Sequence, residues 1–139
     1  MKKVLILGAT GMLGSQVLDI FLKDKKFKIS ATYRNKQNLN KLLQKNKKFY
    51  EKVKFIKFDV ENFSDKKLSS ITKSNEFIIN CIGLIKPYID EKNKDYYRAT
   101  LINIIFPSRL SNFCKKKNKI FQIATDCVYS GDKKNYNEN

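Results

Sequence analysis

Three glycines near the start of the chain have the spacing of a diphosphate-binding turn. Gly8, Gly11 and Gly14 follow one another at intervals of three, directly after the apolar run Val4–Leu7. An uninterrupted apolar run is typical of a parallel strand that is buried on both faces, and Gly8 would end it. The pattern therefore predicts a strand, a tight turn and a helix. The predicted helix has apolar residues at helical spacing, at Met12, Leu13, Val17, Leu18, Phe21 and Leu22.

A turn of this kind offers a ligand unpaired backbone N–H groups and the positive end of a helix dipole. Glycine would serve a tight turn at Gly8, close approach of the backbone to the ligand at Gly11, and close packing of helix on sheet at Gly14. We interpret the segment as a dinucleotide site, and the alternative is an ordinary strand-to-helix connection. The candidate cofactor-binding residues of the segment are Gly8, Thr10, Gly11, Met12, Leu13 and Gly14.

Arg34 is the candidate residue for selecting the cofactor. The alternating stretch Phe27–Tyr33 predicts a second strand, and Arg34 follows its end. An acidic residue about 20 positions beyond the glycines holds the ribose 2′-hydroxyl of NAD, whereas an arginine suits the 2′-phosphate of NADP. Because no Asp or Glu lies between Asp24 and Glu51, the sequence favours NADP(H) over NAD(H). The alternative is a solvated arginine at a strand end.

The amino terminus also mimics a secretory signal, because Lys2 and Lys3 precede the apolar run. The glycines interrupt that run early, Gln16 and Asp19 follow, and no small-residue cleavage site precedes the charged stretch Lys23–Lys28. We therefore reject a signal peptide. No apolar run approaches the ~20 residues that cross a bilayer, so no membrane association is expected.

The chain is strongly basic, with a net charge of +16 over 139 residues. Nucleic-acid recognition relies on the arginine fork, yet the only arginines are Arg34, Arg98 and Arg109. The lysines are spread over every predicted surface segment. We therefore expect a solvated lysine-rich surface and no nucleic-acid partner.

The cysteines point to a reducing compartment. Cys81, Cys114 and Cys127 are odd in number and well separated, which fits reduced thiols in a cytoplasmic protein. Because the chain has no histidine and no paired cysteines, no metal site is expected.

Strands and helices alternate along the rest of the chain. This alternation predicts an α/β fold, a Rossmann-like doubly wound parallel sheet of five strands in the order 3-2-1-4-5, with helices on both faces. Ligands bind such a sheet at the carboxyl ends of its strands, so Asp59 and Val60, after the third strand, could reach the adenine. The predicted strands are Val4–Leu7, Phe27–Tyr33, Val53–Phe58, Phe77–Ile82 and Ile120–Ala124, and the helices after the first lie over Gln37–Lys48, from Ser64, and over Tyr96–Lys116.

The last predicted helix contains Pro107, which predicts a kink. Its expected buried stripe comprises Leu101, Ile104, Ile105, Leu110 and Phe113.

Four segments together resemble the extended short-chain dehydrogenase/reductase family, and within it sugar-nucleotide 4-ketoreductases similar to dTDP-4-dehydrorhamnose reductase. Gly8–Gly14 resembles the glycine motif of that group, and Asn80–Gly83 resembles the segment that lines the cofactor after the fourth strand. Asn103 with Pro107 resembles the Asn and Pro of the long helix. Ala124–Gly131 resembles the Ser-Thr-Asp-x-Val-Phe-x-Gly signature, with Ala124 in place of the usual Ser.

The resemblance implies that hydride passes between a nicotinamide and a sugar carbonyl, and that Thr125 helps orient that carbonyl. A tyrosine held by a lysine, in a Tyr-x-x-x-Lys motif, would donate the proton. The resemblance also implies cofactor contacts from Cys81, Ile82, Gly83 and Asn103. The alternative for Thr125 is a capping hydroxyl at a strand end.

The Tyr-x-x-x-Lys motif lies further along in the family, beyond the position of Asn139. Tyr129–Lys133 spells the pattern, but Gly131 and Asp132 indicate a turn, and Tyr129 already matches the aromatic of the signature. We therefore interpret that match as accidental.

We expect residues 1–139 to form one NAD(P)-binding domain that is inactive alone. A longer form would take a nucleotide-sugar substrate. The alternatives are a non-catalytic dinucleotide-binding module, a sugar-nucleotide epimerase or dehydratase, and a basic nucleic-acid-binding protein. The oligomeric state is left open, with a homodimer among the options.

Overall fold

Five parallel strands form one sheet. The computed structural model describes residues 1–85, 96–114 and 118–123. Its strands are β1 (Lys2–Leu7), β2 (Phe27–Tyr33), β3 (Lys54–Lys57), β4 (Phe77–Asn80) and β5 (Lys119–Gln122). They are ordered β3-β2-β1-β4-β5, and every neighbouring pair is parallel. The predicted fold class and strand order are confirmed.

The central strand β1 is apolar on both faces because it is covered on both. Val4 and Ile6 belong to a core cluster with Leu18 of the first helix. Leu5 and Leu7 belong to a second cluster, which contains Phe106 of the last helix. All four residues of this apolar run, from Val4 to Leu7, are fully buried. The continuous apolar run therefore reflects a sheet that is covered on both faces, as expected for parallel strands.

Six α-helices and one π-helical segment are described. They are α1 (Met12–Lys23), α2 (Lys36–Lys45), α3 (Lys47–Tyr50), α4 (Asp65–Lys73), α5 (Tyr96–Thr100) and α6 (Phe106–Phe113), with the π-helical segment Leu101–Ile105 between the last two. Three of them begin at a side-chain cap, in which an oxygen accepts from a backbone N–H of the first turn. The caps are Asn35 for α2, Asn46 for α3 and Ser64 for α4.

Asn46 explains why the predicted crossover helix is broken. Its side chain accepts from the N–H of Phe49 at 3.1 Å, which starts α3 with only Asn46 between it and the end of α2. The short α3 is tied to α1, because the Tyr50 hydroxyl donates to Asp19 Oδ1 at 2.7 Å. Burial and the Asp19 carboxylate raise the pKa of Tyr50 to about 12.

The strands differ from their predicted bounds at the ends. β1 begins two residues early, because Lys2 and Lys3 pair with the start of β2 although they are exposed. β4 ends at Asn80 rather than Ile82, because the Asn80 side chain accepts from the Ile82 N–H at 3.1 Å and turns the chain. β3 and β5 are also shorter than predicted, and Ala124 lies outside the described residues.

The predicted stripe of the long helix is partly wrong. Ile104 is 64% exposed and Ile105 is 37% exposed, whereas Ile102 and Phe106 are buried. The cause is the π-helical segment, in which the Phe106 N–H donates to the Leu101 carbonyl five residues earlier. Such a turn accommodates one additional residue and shifts the buried face. The helix ends at Phe113 rather than at Lys116, and Pro107 lies in the first turn of α6, directly after the π-helical segment.

The apolar residues in the first turn of α1 are exposed. Met12 is 87% exposed and Leu13 is 42% exposed, so neither belongs to the buried face of the helix. That face is formed by Leu18, with Val17, Phe21 and Leu22 partly buried against the core.

None of the helices in the described ranges is long and apolar enough to cross a membrane.

Phe106 is the side chain that seats α6 on the sheet. It is fully buried, with its ring centroid 5.9 Å from that of Phe58 and 5.8 Å from that of Phe63. We expect Phe106→Ala to lower the free energy of unfolding by about 3–5 kcal/mol, since a buried ring is replaced by a cavity. Urea unfolding measures this. Ile104→Ala, at an exposed position of the adjoining π-helical segment, serves as the control, and an equal loss there would contradict the observed orientation.

Candidate functional site

The first glycine of the turn requires a conformation that side chains rarely adopt. Gly8 has φ +77°, in the left-handed region. A Cβ on Gly8 would also lie 2.8 Å from Ile82 Cγ1. The tight turn predicted at Gly8 is therefore present, and it is packed against the segment that follows β4.

The neighbouring strand β2 holds this turn in place through Thr32. The Thr32 hydroxyl accepts from the Gly8 N–H at 2.9 Å, and the Thr32 carbonyl accepts from the Ala9 N–H at 3.0 Å. Gly11 N–H donates to the Gly8 carbonyl at 3.0 Å. Because Thr32 is 1% exposed, these bonds fix the turn to the sheet rather than to solvent.

The start of α1 leaves backbone donors available. Its N-cap residue is Gly11, which has no side chain to accept a hydrogen bond, in contrast to the capped helices α2, α3 and α4. The first intrahelical bond runs from the Ser15 N–H to the Gly11 carbonyl. The N–H groups of the first turn of α1, from Met12 to Gly14, therefore have no acceptor among the described residues. A helix end of this kind suits an anion.

The other two glycines differ in how much room surrounds them. A Cβ on Gly14 would overlap the Gly8 carbonyl oxygen and lie 2.8 Å from the Gly8 carbonyl carbon. A Cβ on Gly11 would lie 3.3 Å from the Gly8 carbonyl oxygen and would meet no other atom within 4 Å. Gly14 is thus required by packing, whereas the space at Gly11 remains open to a ligand. The space at Gly11 and the N–H groups without acceptors both lie at the start of α1, an arrangement that suits a diphosphate.

A cavity of about 230 Å³ lies beside the turn, at the carboxyl ends of the strands. Arg34, Cys81 and Arg98 line it together with the turn. Of the residues predicted from the sequence, it brings together Gly8, Thr10, Gly11, Arg34, Asp59, Val60, Cys81, Ile82 and Gly83. Its lining does not include Met12, Leu13, Gly14 or Asn103. Thr125, the predicted catalytic residue, lies outside the described residues.

Several residues of this cavity were not predicted from the sequence. Thr32 lies one residue before the end of β2, and Phe58 directly follows β3. Their positions near the carboxyl ends of predicted strands are the signal that could have found them. Arg98 belongs to α5 and Ile102 to the π-helical segment, and no local sequence pattern places either residue at the cavity. The lining residues that were not predicted are Thr32, Asn38, Phe58, Leu84, Arg98 and Ile102.

Cys81 lies against the cavity as a neutral thiol. Burial raises its pKa to about 11, so the thiolate is scarce near neutral pH. Among the described residues, Cys81 and Cys114 form no disulfide, and Cys127 lies outside those residues. Cys81 therefore supplies shape rather than a nucleophile.

Asn103 acts on the cavity indirectly. Its side-chain oxygen accepts from the Leu84 N–H at 2.8 Å, and its side-chain nitrogen donates to the Leu84 carbonyl at 2.8 Å. These two bonds fasten the segment after β4 to the π-helical segment. Gly83 lies between them and the turn, and a Cβ there would be 3.8 Å from Asn103 Oδ1. Asn103 thus has a positioning role in this geometry, and its contact with a cofactor stays a prediction.

Arg34, the predicted selector, is paired with a carboxylate. Arg34 Nη1 lies 2.8 Å from Glu61 Oε1, and Arg98 donates to both oxygens of Glu61, each bond 2.9 Å long. The Arg98 hydrogen bonds, aided by the charges of both arginines, lower the pKa of Glu61. The sequence places no acid at the end of β2, but the fold delivers one from the loop after β3.

Within the described ranges, no group of His, Cys, Asp or Glu is arranged to hold a metal ion.

The sequence model of the NAD dependent epimerase/dehydratase family matches residues 4–139. The chain belongs to this family. The family binds a nicotinamide dinucleotide, in keeping with the cradle described above. No curated protein matches the chain in sequence.

Solved structures share the family fold. UDP-glucuronic acid 4-epimerase from Bacillus cereus, in complex with UDP-glucuronic acid and NAD, is similar with a TM-score of 0.79 and 21% identity over 98% of this chain and 44% of that one. PbgP3 protein from Burkholderia pseudomallei is similar with a TM-score of 0.72 and 19% identity, over 93% of this chain and 36% of that one. A short chain dehydrogenase/reductase from Saccharomyces cerevisiae has a TM-score of 0.71 and 15% identity, over 92% of this chain and 55% of that one. At these identities the similarity shows the fold alone. The chain spans between 36% and 55% of the length of these three proteins.

The two glycines of the α1 turn should respond differently to the same added methyl group. Gly14→Ala should lower the free energy of unfolding by about 1–3 kcal/mol, the usual cost of overpacking, because its Cβ meets the backbone of Gly8. Gly11→Ala should lose less stability, because its Cβ would meet only the Gly8 carbonyl oxygen, at 3.3 Å. Thermal unfolding of both variants measures the difference, and equal losses would mean that α1 does not pack on the turn as described.

Proposed function

We propose that this chain is the NADP(H)-binding part of a reductase that acts on a nucleotide-linked 4-keto sugar and resembles dTDP-4-dehydrorhamnose reductase. The observation that carries the cofactor part is the uncapped start of α1 beside an open cradle at Gly11. Membership of the family supports the same conclusion.

The residues of the cavity divide the work of binding. The N–H groups of the first turn of α1 would bind the diphosphate, and Thr32 keeps the turn in the conformation that exposes them. Asp59 and Val60 line the cavity at the end of β3, where the adenosine would lie. Arg34 lies directly after β2 and lines the cavity, where an arginine can pair with a 2′-phosphate. Its position supports NADP(H) over NAD(H). The cofactor, when bound, supplies or accepts a hydride.

The substrate part of the proposal is supported by the sequence signature Ala124–Gly131. Thr125 would orient the sugar carbonyl, as in the reductases that the signature resembles. The Tyr-x-x-x-Lys pair and the sugar-binding residues would belong to a longer form of the protein. Residues 1–139 would then bind the cofactor without turnover.

A sugar-nucleotide epimerase is the second candidate. The observation that favours it is the structural similarity to UDP-glucuronic acid 4-epimerase, a protein solved with NAD. The two candidates differ in the dinucleotide that they bind more tightly, since the reductase proposal requires a preference for NADPH. A chain that binds NAD⁺ more tightly than NADPH would favour the epimerase.

The cradle is tested by Gly11→Asp. A carboxylate at this N-cap position would accept from the free N–H groups of the first turn and add a negative charge where the diphosphate binds. We expect NADPH binding to weaken at least about 100-fold, the scale of two lost charge-assisted hydrogen bonds, while the unfolding temperature stays unchanged or rises. Titration of NADPH fluorescence with the chain measures this.

Asn112→Asp is the matched control, because it makes the same change of charge at an exposed position of α6. It should bind NADPH like the original chain. Unaltered binding by Gly11→Asp would overturn the proposed site, and so would a loss shared equally by Asn112→Asp.

A further inference from the structure

Three charged side chains from separate elements meet at the rim of the cavity. Arg34 follows β2, Glu61 follows β3, and Arg98 belongs to α5. Glu61 Oε1 is shared by Arg34 Nη1 at 2.8 Å and Arg98 Nη2 at 2.9 Å, while Glu61 Oε2 accepts from Arg98 Nε at 2.9 Å. Arg98 therefore holds the carboxylate with two bonds, and Arg34 holds it with one. We call these three residues the rim cluster.

Glu61 does not depend on Arg34 for its position. Its backbone N–H donates to Asp59 Oδ1 at 3.0 Å, and the Asn62 N–H donates to the Asp59 carbonyl at 3.3 Å, so the backbone turn fixes it. The bidentate contact with Arg98 fixes its carboxylate as well. Removal of Arg34 from Glu61 would thus leave Glu61 in place and paired.

Arg34 is the member of the rim cluster that can exchange partners. Its side chain is 58% exposed, against 33% for Arg98 and 31% for Glu61. An exposed ion pair contributes only about 0–1 kcal/mol, so its single bond to Glu61 costs little to break. A bidentate pair is stronger and geometrically fixed.

The surroundings of the rim cluster favour an incoming anion. Four cationic residues line this part of the surface against two carboxylates, which leaves an excess of positive charge. The cations are Arg34, Lys36, Lys57 and Arg98, the carboxylates are Asp59 and Glu61, and the neutral Asn35 completes the lining. Two of the cations, however, already neutralise Glu61 in this arrangement.

We propose that the Glu61–Arg98 pair determines cofactor selectivity by partner exchange, in which a 2′-phosphate takes Arg34 from Glu61 while Arg98 keeps the Glu61 carboxylate neutralised. This inference rests on the proposed NADP(H) site and assigns selectivity to two residues beyond Arg34. Arg98 is here a positioning residue, because it acts on the phosphate through Glu61. Without Arg98, Glu61 would retain Arg34 and repel the phosphate.

The experiment compares dissociation constants for NADPH and NADH, measured by fluorescence titration, in four forms of the chain: the original, Arg98→Gln, Glu61→Gln and the double variant. Arg98→Gln should lower the preference for NADPH about tenfold, the scale of one charge-assisted hydrogen bond. Glu61→Gln should maintain or raise it, since Arg34 is released. The double variant should match Glu61→Gln within about twofold, because Glu61→Gln already removes the carboxylate through which Arg98 acts on Arg34.

Arg109→Gln is the matched control. Arg109 pairs with Asp65 and lies over the ring of Phe63, 5.0 Å from its centroid, away from the rim cluster. The same substitution there should leave the NADPH-to-NADH ratio unchanged. Binding of NADH itself should change little in every variant, which separates a change in selectivity from a general loss of folding.

If Arg98→Gln unfolds, Arg98→Lys replaces it. Arg98→Lys should also lower the preference for NADPH, because lysine cannot make the bidentate contact with Glu61.

Two results would overturn the inference. One is an Arg98→Gln effect that persists undiminished in the Glu61→Gln background, which would mean that Arg98 contacts the phosphate directly. The other is a preference unaltered by a folded Arg98 variant. Failure of the original chain to bind either dinucleotide would instead refute the proposed function, so the two failures are distinguishable.

Discussion

The close contact between the start of α1 and the end of β1 is the constraint on which the site depends. A hydrogen atom is all that fits between Gly14 and the Gly8 carbonyl. Because α1 approaches the sheet so closely, its uncapped start lies directly beside the Gly8 turn, which lines the cavity. A larger residue at position 14 would move the helix away from this turn. The packing of the fold and the geometry of the candidate site are therefore set by the same contact.

Around this contact, each neighbouring strand contributes one fixed element to the cavity. β2 supplies Thr32, which holds the turn, and β3 leads into Asp59 and the loop of Glu61. β4 ends at Asn80, which is fully buried and bonds both to the Ile82 N–H and, at 2.8 Å, to Gln122 of β5. A parallel sheet aligns all these strand ends on one edge, so residues distant in sequence become neighbours without long loops.

The parts of the structure that the sequence predicted correctly are those set by local patterns. The apolar run before Gly8, the alternation of strands with helices and the cap at Ser64 each act over a few residues, and together they gave the strand order and the glycine turn. The errors come from features that the sequence patterns do not record. Ile104 and Ile105 are exposed because a π-helical turn shifts the buried face of the helix, and Arg98 reaches Glu61 only through the packed fold. No periodicity in a single chain records such a pairing.

The π-helical segment decides where the long helix can gain or lose a residue. Between Leu101 and Phe106 the wide turn accommodates one residue more than an α-helix would contain, so α5 and α6 keep their orientations on either side of it. A residue added to or removed from α5 or α6 meets no such wide turn and would rotate one side of the helix by about 100° relative to the other. Arg98 would then turn away from the carboxylate that it holds. Insertions and deletions in α5 and α6 should therefore be far less tolerated than substitutions on their exposed faces.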